Sequence, residues 1–214
     1  MMKLNQHIKE LFGQAYILGG SPCSGKSTAA ARLHAEFDFQ AYNVDGRERE
    51  HLNRSRLGQH PVMFRLSKMT WNEIWSRPVE QQVAEEFDFY RERFEFVMDD
   101  LKQYAADDLI VLEGAAYLPE LLARVEADSR RVLYLIPTKT FQLHHYSQRS
   151  WIHKILQECD DPEQAFANWM ERDHLFGQEV QRQAKEFGFR AITVDGGLDI
   201  DETYRQVTGY LGLT

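Results

Sequence analysis

The chain has 214 residues, 43% of them hydrophobic and 12% aromatic, enough apolar side chain to bury the core of one domain and to exclude disorder as the main state. Its 33 Asp and Glu outnumber 25 Lys and Arg, a net charge of −8, opposite in sign to proteins that live by neutralising nucleic-acid phosphates. No apolar run approaches a membrane span, the segment 1–14 lacks the apolar stretch of a secretory leader, and Cys23 and Cys159 stand too far apart for a disulfide framework. The expectation is a reduced, cytoplasmic protein with neither a nucleic-acid polymer nor a membrane as partner, and of open oligomeric state.

In chain order, five short apolar runs read as strands: 15–18, 40–44, 109–112, 131–136 and 190–194. Near-continuous apolar strands separated by helical patterns predict a buried parallel sheet with helical crossovers, a three-layer α/β domain spanning 1–214. After the first run comes Gly20-Ser21-Pro22-Cys23-Ser24-Gly25-Lys26-Ser27-Thr28, which matches G-x-x-x-x-G-K-[ST] and leads into the helical run that follows Thr28. Gly20 and Gly25 allow backbone that a side chain would block, so successive N–H groups converge on phosphate oxygens. Lys26 supplies a cation at the β- and γ-phosphates, Ser27 a hydroxyl for Mg²⁺, and the helix start a positive dipole end. Cys23 reads as a small filler, with a redox switch as the alternative.

The second strand ends at Asp45-Gly46, a common turn pair but also a carboxylate at the end of the sheet where ligands bind. Arg47, Arg49, Arg54 and Arg56 follow, diluted by Glu48 and Glu50; a solvated helix face is the default, with one or two as ligands of an anionic acceptor the alternative. The segment 46–106 is far longer than one crossover needs and is expected to be an elaboration on the acceptor side. Within it, Val83, Phe87, Tyr90, Phe94, Val97, Leu101 and Tyr104 alternate steps of four and three, predicting a helix opened by Pro78. Trp71, Trp75 and Tyr90 read as packing, or as stacking partners for a base.

The third strand ends in Glu113-Gly114, four apolar residues and then an acid, which resembles a Walker B carboxylate that holds Mg²⁺ through water. Glu in place of Asp leaves its partner open between metal water, acceptor and both. Asp161-Pro162-Glu163-Gln164 predicts an N-cap, a first-turn proline and a Gln reaching back. A stripe of Phe166, Trp169, Met170, Phe176, Val180, Ala184 and Phe187 follows, and Gly188 stops the helix. His144, His145 and His153 lack the spacing and company of a structural metal site.

On the loop 20–28 and this alternation of strands and helices, the sequence resembles the P-loop nucleoside and nucleotide kinase superfamily, close to its small bacterial kinase-like branch. The resemblance implies a parallel sheet in the order 2-3-1-4-5, Mg·ATP as phosphoryl donor, and an arginine-rich lid in the region of about 138–175. It also implies that Asp45 orients the acceptor hydroxyl or takes its proton. Arg149 and Arg172 fall where the lid lies; each is either a phosphate ligand or a surface arginine, Arg172 then paired with Glu171 or Asp173. The function so implied is transfer of the ATP γ-phosphoryl to a small-molecule acceptor such as a nucleoside, nucleotide or other hydroxyl metabolite. The rivals are a P-loop hydrolase or switch and a non-catalytic nucleotide-binding module. The nearest candidate for a guanine-reading N-K-x-D, Thr138-Lys139-Thr140, lacks the acid, and the transporter motif L-S-G-G-Q is absent.

Overall fold

The computed structural model describes residues 6–213. Five strands, β1 (Tyr16–Gly20), β2 (Gln40–Asn43), β3 (Ile110–Glu113), β4 (Val132–Pro137) and β5 (Arg190–Val194), form one parallel sheet in the order β2-β3-β1-β4-β5. This is the expected order. The helices are α1 (Gln6–Gln14), α2 (Lys26–Phe37), α3 (Glu48–Arg54), α4 (Pro61–Leu66), α5 (Trp71–Trp75), α6 (Val79–Asp100), α7 (Pro119–Arg124), α8 (Lys139–Ser147), α9 (Ser150–Leu156), α10 (Pro162–Glu186) and α11 (Ile200–Leu211).

Alternation along each strand divides the core into two layers. Ile17, Tyr42, Ile110, Leu112, Val132 and Tyr134 face α1, α6, α7 and α10 on one side. Leu18, Val111, Leu133, Leu135 and Ile192 face α2 and α11 on the other. A third apolar cluster lies off the sheet, where Trp75 of α5, Tyr146 of α8, Ile152 and Leu156 of α9, and Trp169 and Met170 of α10 pack together, with Cys23 against them. The expected lid segment is therefore anchored on the phosphate-loop end of the molecule.

The expected helices form, with local differences. The first long one ends at Asp100 and tightens into a 3₁₀ turn over Leu101–Gln103, so Tyr104 lies beyond it. Its buried face is also broader than the seven-residue stripe: Phe89, Arg93, Phe96 and Met98 are buried too, with α4 packed along this helix and His51 of α3 stacked on Phe96. In α10, Asp161 accepts the Gln164 N–H at 3.0 Å as expected, but the Gln164 side chain turns to Asn168 Oδ1 at 2.8 Å instead of reaching back. Phe187 is 41% exposed, past the end of the helix, and not part of the core. Strand β2 is an edge strand and reads as such: only Tyr42 is buried along it. Among the described residues, no helix is long and apolar enough to cross a membrane.

Candidate active site

The register sets Leu18, Asn43 and Glu113 side by side toward the carboxyl ends of β1, β2 and β3, with Gly20 two residues further along β1 beside Leu135 of β4, so the segments leaving these strands share one end of the sheet. Gly20 has φ +122°, and a Cβ there would lie 2.1 Å from the Leu135 carbonyl oxygen, so no other residue fits. Gly25, at φ +86°, sits at the N-cap of α2 without a side-chain cap, and a Cβ built there would meet nothing within 4 Å. Lys26 is 5% exposed and curls over its own loop, its Nζ donating to the Ser21 carbonyl at 2.7 Å and to Ser24 Oγ at 3.3 Å. Burial lowers its pKa, and the carboxylates of Asp45 and Glu113 oppose that shift.

Ser27 Oγ donates to Glu113 Oε2 at 3.2 Å. Burial raises the Glu113 pKa; Lys26 pulls it down and Asp45 pushes it up. A hydroxyl and a carboxylate oxygen side by side form the hard-oxygen donor set that Mg²⁺ takes.

Asp45 opens a 3₁₀ turn, Asp45–Arg47, so the turn reading of Asp45-Gly46 holds for the backbone. Its side chain is not what closes that turn. Asn43 Oδ1 accepts the Gly46 N–H at 2.7 Å, and among the described residues the Asp45 carboxylate accepts only the Ala115 N–H, at 3.3 Å. Gly114 makes that approach possible: it has φ +137°, and a Cβ would stand 2.3 Å from Val44 Cγ1 and 2.9 Å from Asp45 Oδ1.

Behind the turn lies a buried polar network with no signature in the sequence motifs. Arg93, 0% exposed, donates to the Val44 carbonyl and, at 3.2 Å, to His51 Nδ1. His51 Nε2 meets Asp100 Oδ2 at 2.8 Å, and Tyr42 and Arg54 each donate to Asp100 at 2.7 Å. Burial lowers the His51 pKa, which suits a neutral ring accepting at Nδ1 and donating at Nε2. Arg54 thus serves the fold, and Arg47 pairs with Glu50 at 3.0 Å on the surface.

Two cavities flank the phosphate loop. The first, about 370 Å³, is bordered by residues 23–29, Arg32, Phe141, His145, Arg149 and Tyr204. The second, about 550 Å³, is bordered by Pro22, Asp45, Ala115 and the helices of the elaboration and lid. Pro22 and Cys23 are adjacent, so the loop itself is the partition.

The two candidate lid arginines part company. Arg149 lines the smaller cavity with Lys26, its guanidinium 5.1 Å from the Tyr146 ring centroid and without a carboxylate partner among the described residues. Arg172 lines the larger cavity and is spent internally: it pairs with Glu86 and, at 2.7 Å, with Asp173, and lies 5.0 Å over the Trp75 ring. The neighbour pairing is therefore with Asp173, whereas Glu171 reaches Lys139. Asp173, 1% exposed, also accepts the Tyr146 hydroxyl at 2.8 Å, and its main-chain carbonyl accepts Ser21 Oγ at 3.0 Å. Burial pushes its pKa up to about 6 against the pull of Arg172. Asp173 and Arg93 were detectable in principle, because each puts a charge at stripe spacing among apolar neighbours, Trp169-Asp173-Phe176 and Tyr90-Arg93-Val97.

Cys23 adopts φ +62°, and burial pushes its thiol up to about 11 despite nearby Arg149 and Lys26. It is a protonated filler, not a poised thiolate. His145 packs on Phe141 at 4.1 Å beside the smaller cavity, and His144 pairs with Gln148. Trp71, Trp75 and Tyr90 all border the larger cavity, away from the side that holds residues 23–29.

A scan of the sequence against protein-family models and a search of curated proteins give no match. Solved structures do match. Shikimate kinase from Acinetobacter baumannii, in complex with shikimate, superposes with a TM-score of 0.50 at 17% identity, over 95% of this chain and 97% of that one. The chain has the fold of the P-loop nucleotide kinase superfamily. Shikimate kinase from Aquifex aeolicus (TM-score 0.40, 16% identity, 92% and 96% covered) is also similar. So is the YorR protein of Bacillus subtilis, solved with phosphorylated GDP (0.45, 14%, 93% and 96%).

Proposed function

We propose that this chain is an ATP-dependent small-molecule kinase, built as a single domain with an acceptor-side elaboration over 46–106 and a lid over about 138–175. The observation that carries the reading is the pair of cavities meeting at the phosphate loop, with Lys26 on one side and Asp45 on the other. A mere nucleotide binder needs only the first cavity.

In this reading the triphosphate lies along the backbone N–H groups of residues 20–28, with the nucleoside end toward Phe141, His145 and Tyr204. Mg²⁺ would be held by Ser27 and, through water, Glu113, and when bound supplies charge neutralisation between the β- and γ-phosphates. Lys26 leaves the Ser21 carbonyl for the phosphates, where its burial makes the charge count for more. Asp45 takes the hydrogen bond of the acceptor hydroxyl and holds that oxygen in line with the leaving group, then accepts the proton. Arg149, free of internal carboxylates among the described residues, closes over the transferring group, while Arg172 braces the wall between lid and loop. Closure of the lid keeps water from competing with the acceptor.

The test is a calorimetric titration with Mg·ATP, followed by ADP release measured with and without pools of nucleosides, sugars and amines. A kinase binds ATP and releases ADP fast only when a hydroxyl acceptor is present. Release that ignores acceptors would point to a hydrolase, and binding without release to a non-catalytic module.

A further inference from the structure

The larger cavity carries information about the acceptor itself; phosphorylation of a molecule held there rests on the kinase reading, whereas its binding does not. The border includes four carboxylates, Asp45, Glu48, Glu85 and Glu86, and two guanidinium groups, Arg77 and Arg172. Both guanidinium groups are already neutralised, Arg77 by Glu85 and Arg172 by Glu86 and Asp173. Glu85 takes a second arginine, Arg65, at 3.1 Å. Among the described residues, no lining cation is left to receive a phosphate or carboxylate of the acceptor. By contrast, Asp45 accepts the Ala115 N–H and has no cation partner among the described residues, and Glu48, half-exposed, is paired on one side with the buried Arg93 at 3.3 Å.

The rest of the wall is aromatic. Trp75 has both faces used, stacked on Trp169 at 4.0 Å and covered by Arg172. Trp71 and Trp151 are more open: they stand 38% and 45% exposed on the border of the same cavity, Trp151 with its ring also against Trp169 and Tyr146. Carboxylates and exposed indoles are what an organic ammonium ion selects. An anionic acceptor would find no unpaired cation among the described lining residues, and would face the Asp45 carboxylate.

We propose that the acceptor is a hydroxylated organic cation, an amino sugar or amino alcohol, whose ammonium group lies between Glu48 and the indoles of Trp71 and Trp151 and whose hydroxyl reaches Asp45. In the transfer, the acceptor oxygen bonds to the γ-phosphorus as the bond to the β-phosphate oxygen breaks; the hydroxyl proton passes to Asp45 and ADP leaves. The amine keeps its proton and takes no part.

Binding is tested without ATP, on one scaffold at three charges: deacetylated chitobiose (cationic), cellobiose (neutral) and cellobiouronic acid (anionic), read by calorimetry and tryptophan fluorescence. Chitobiose should bind about tenfold or more tighter than cellobiose, with cellobiouronic acid weakest. Glu48→Gln and Trp71→Ala should each erase most of the chitobiose preference, read as the ratio of chitobiose to cellobiose affinity on the same variant. Equal affinity for cation and neutral sugar, a preference for the anion, no binding of chitobiose at all, or a preference untouched by both variants would overturn the assignment. Chitobiose binding without phosphorylation when Mg·ATP is added would leave the cation site standing and fail the kinase reading instead.

Discussion

Gly177 lies in the middle of α10, where a glycine costs about 1 kcal/mol relative to alanine. The reason for it is the phosphate loop. A Cβ at 177 would stand 3.2 Å from Ser21 Cβ, 3.3 Å from Ile136 Cγ2 and 3.4 Å from Ser21 Oγ. Neither neighbour can retreat easily: Ile136 is in β4, and Ser21 is tied to the Asp173 carbonyl by its hydroxyl and to Lys26 by its own carbonyl. Overpacking of this kind costs about 1–3 kcal/mol, against the helix-propensity gain of about 1 kcal/mol, so Gly177→Ala should lose up to about 2 kcal/mol net. It should also weaken Mg·ATP binding, because the displaced residue belongs to the loop whose backbone N–H groups would cradle the phosphates. The control is Gly209→Ala in α11, where nothing lies within 4 Å of the added methyl. That variant should gain about 0.5–1 kcal/mol and leave ATP binding alone. Urea unfolding and ATP titration of both variants decide the matter. Equal stabilisation of the two, with unchanged ATP affinity, would refute the idea that α10 is packed to hold the loop.

Lys26→Ala should retain the fold and lose most Mg·ATP affinity or turnover, checked by circular dichroism and calorimetry; unchanged affinity would remove Lys26 from the phosphate site. Arg149→Ala should lower kcat more than ATP affinity, since its guanidinium is free to meet charge that develops during transfer; steady-state kinetics would show the split. Asp173, raised to about 6 against an unfolded value near 4, binds its proton more tightly in the folded state, so its contribution to stability is present below about pH 4 and fades as pH rises through about 6. The stability cost of Asp173→Asn should therefore shrink between pH 4 and 6, by at most about 3 kcal/mol, in paired denaturation curves.

The strands, the phosphate loop and both long helices were legible because each is written locally: apolar runs, a glycine–lysine spacing, and a capping aspartate before a proline. The sheet order came from the resemblance and not from any strand's own residues. What escaped was set by competition between elements distant in sequence. Gln164 had two partners within reach and took Asn168. The Asp45 carboxylate stays out of its own turn because Asn43 closes it, a choice invisible in the Asp-Gly pair. The two arginines looked alike in sequence, yet Glu86, 86 residues before Arg172, neutralises one, and no carboxylate among the described residues neutralises Arg149. The aromatic cavity is likewise assembled from α5, α6, α8, α9 and α10, none of which carries a motif by itself.

The most direct test of phosphoryl transfer is the Asp45→Asn variant, which keeps the shape of the side chain and removes its charge and its capacity to take a proton. Mg·ATP binding and acceptor phosphorylation are measured side by side on both proteins, the latter by mass spectrometry of the small-molecule product. The variant should bind Mg·ATP as the native chain does and transfer the phosphoryl group roughly 10²–10⁴-fold more slowly. Loss of ATP affinity with normal transfer at saturating ATP, or no change in either, would contradict the placing of Asp45 at the acceptor and with it the division of the site into a donor and an acceptor side.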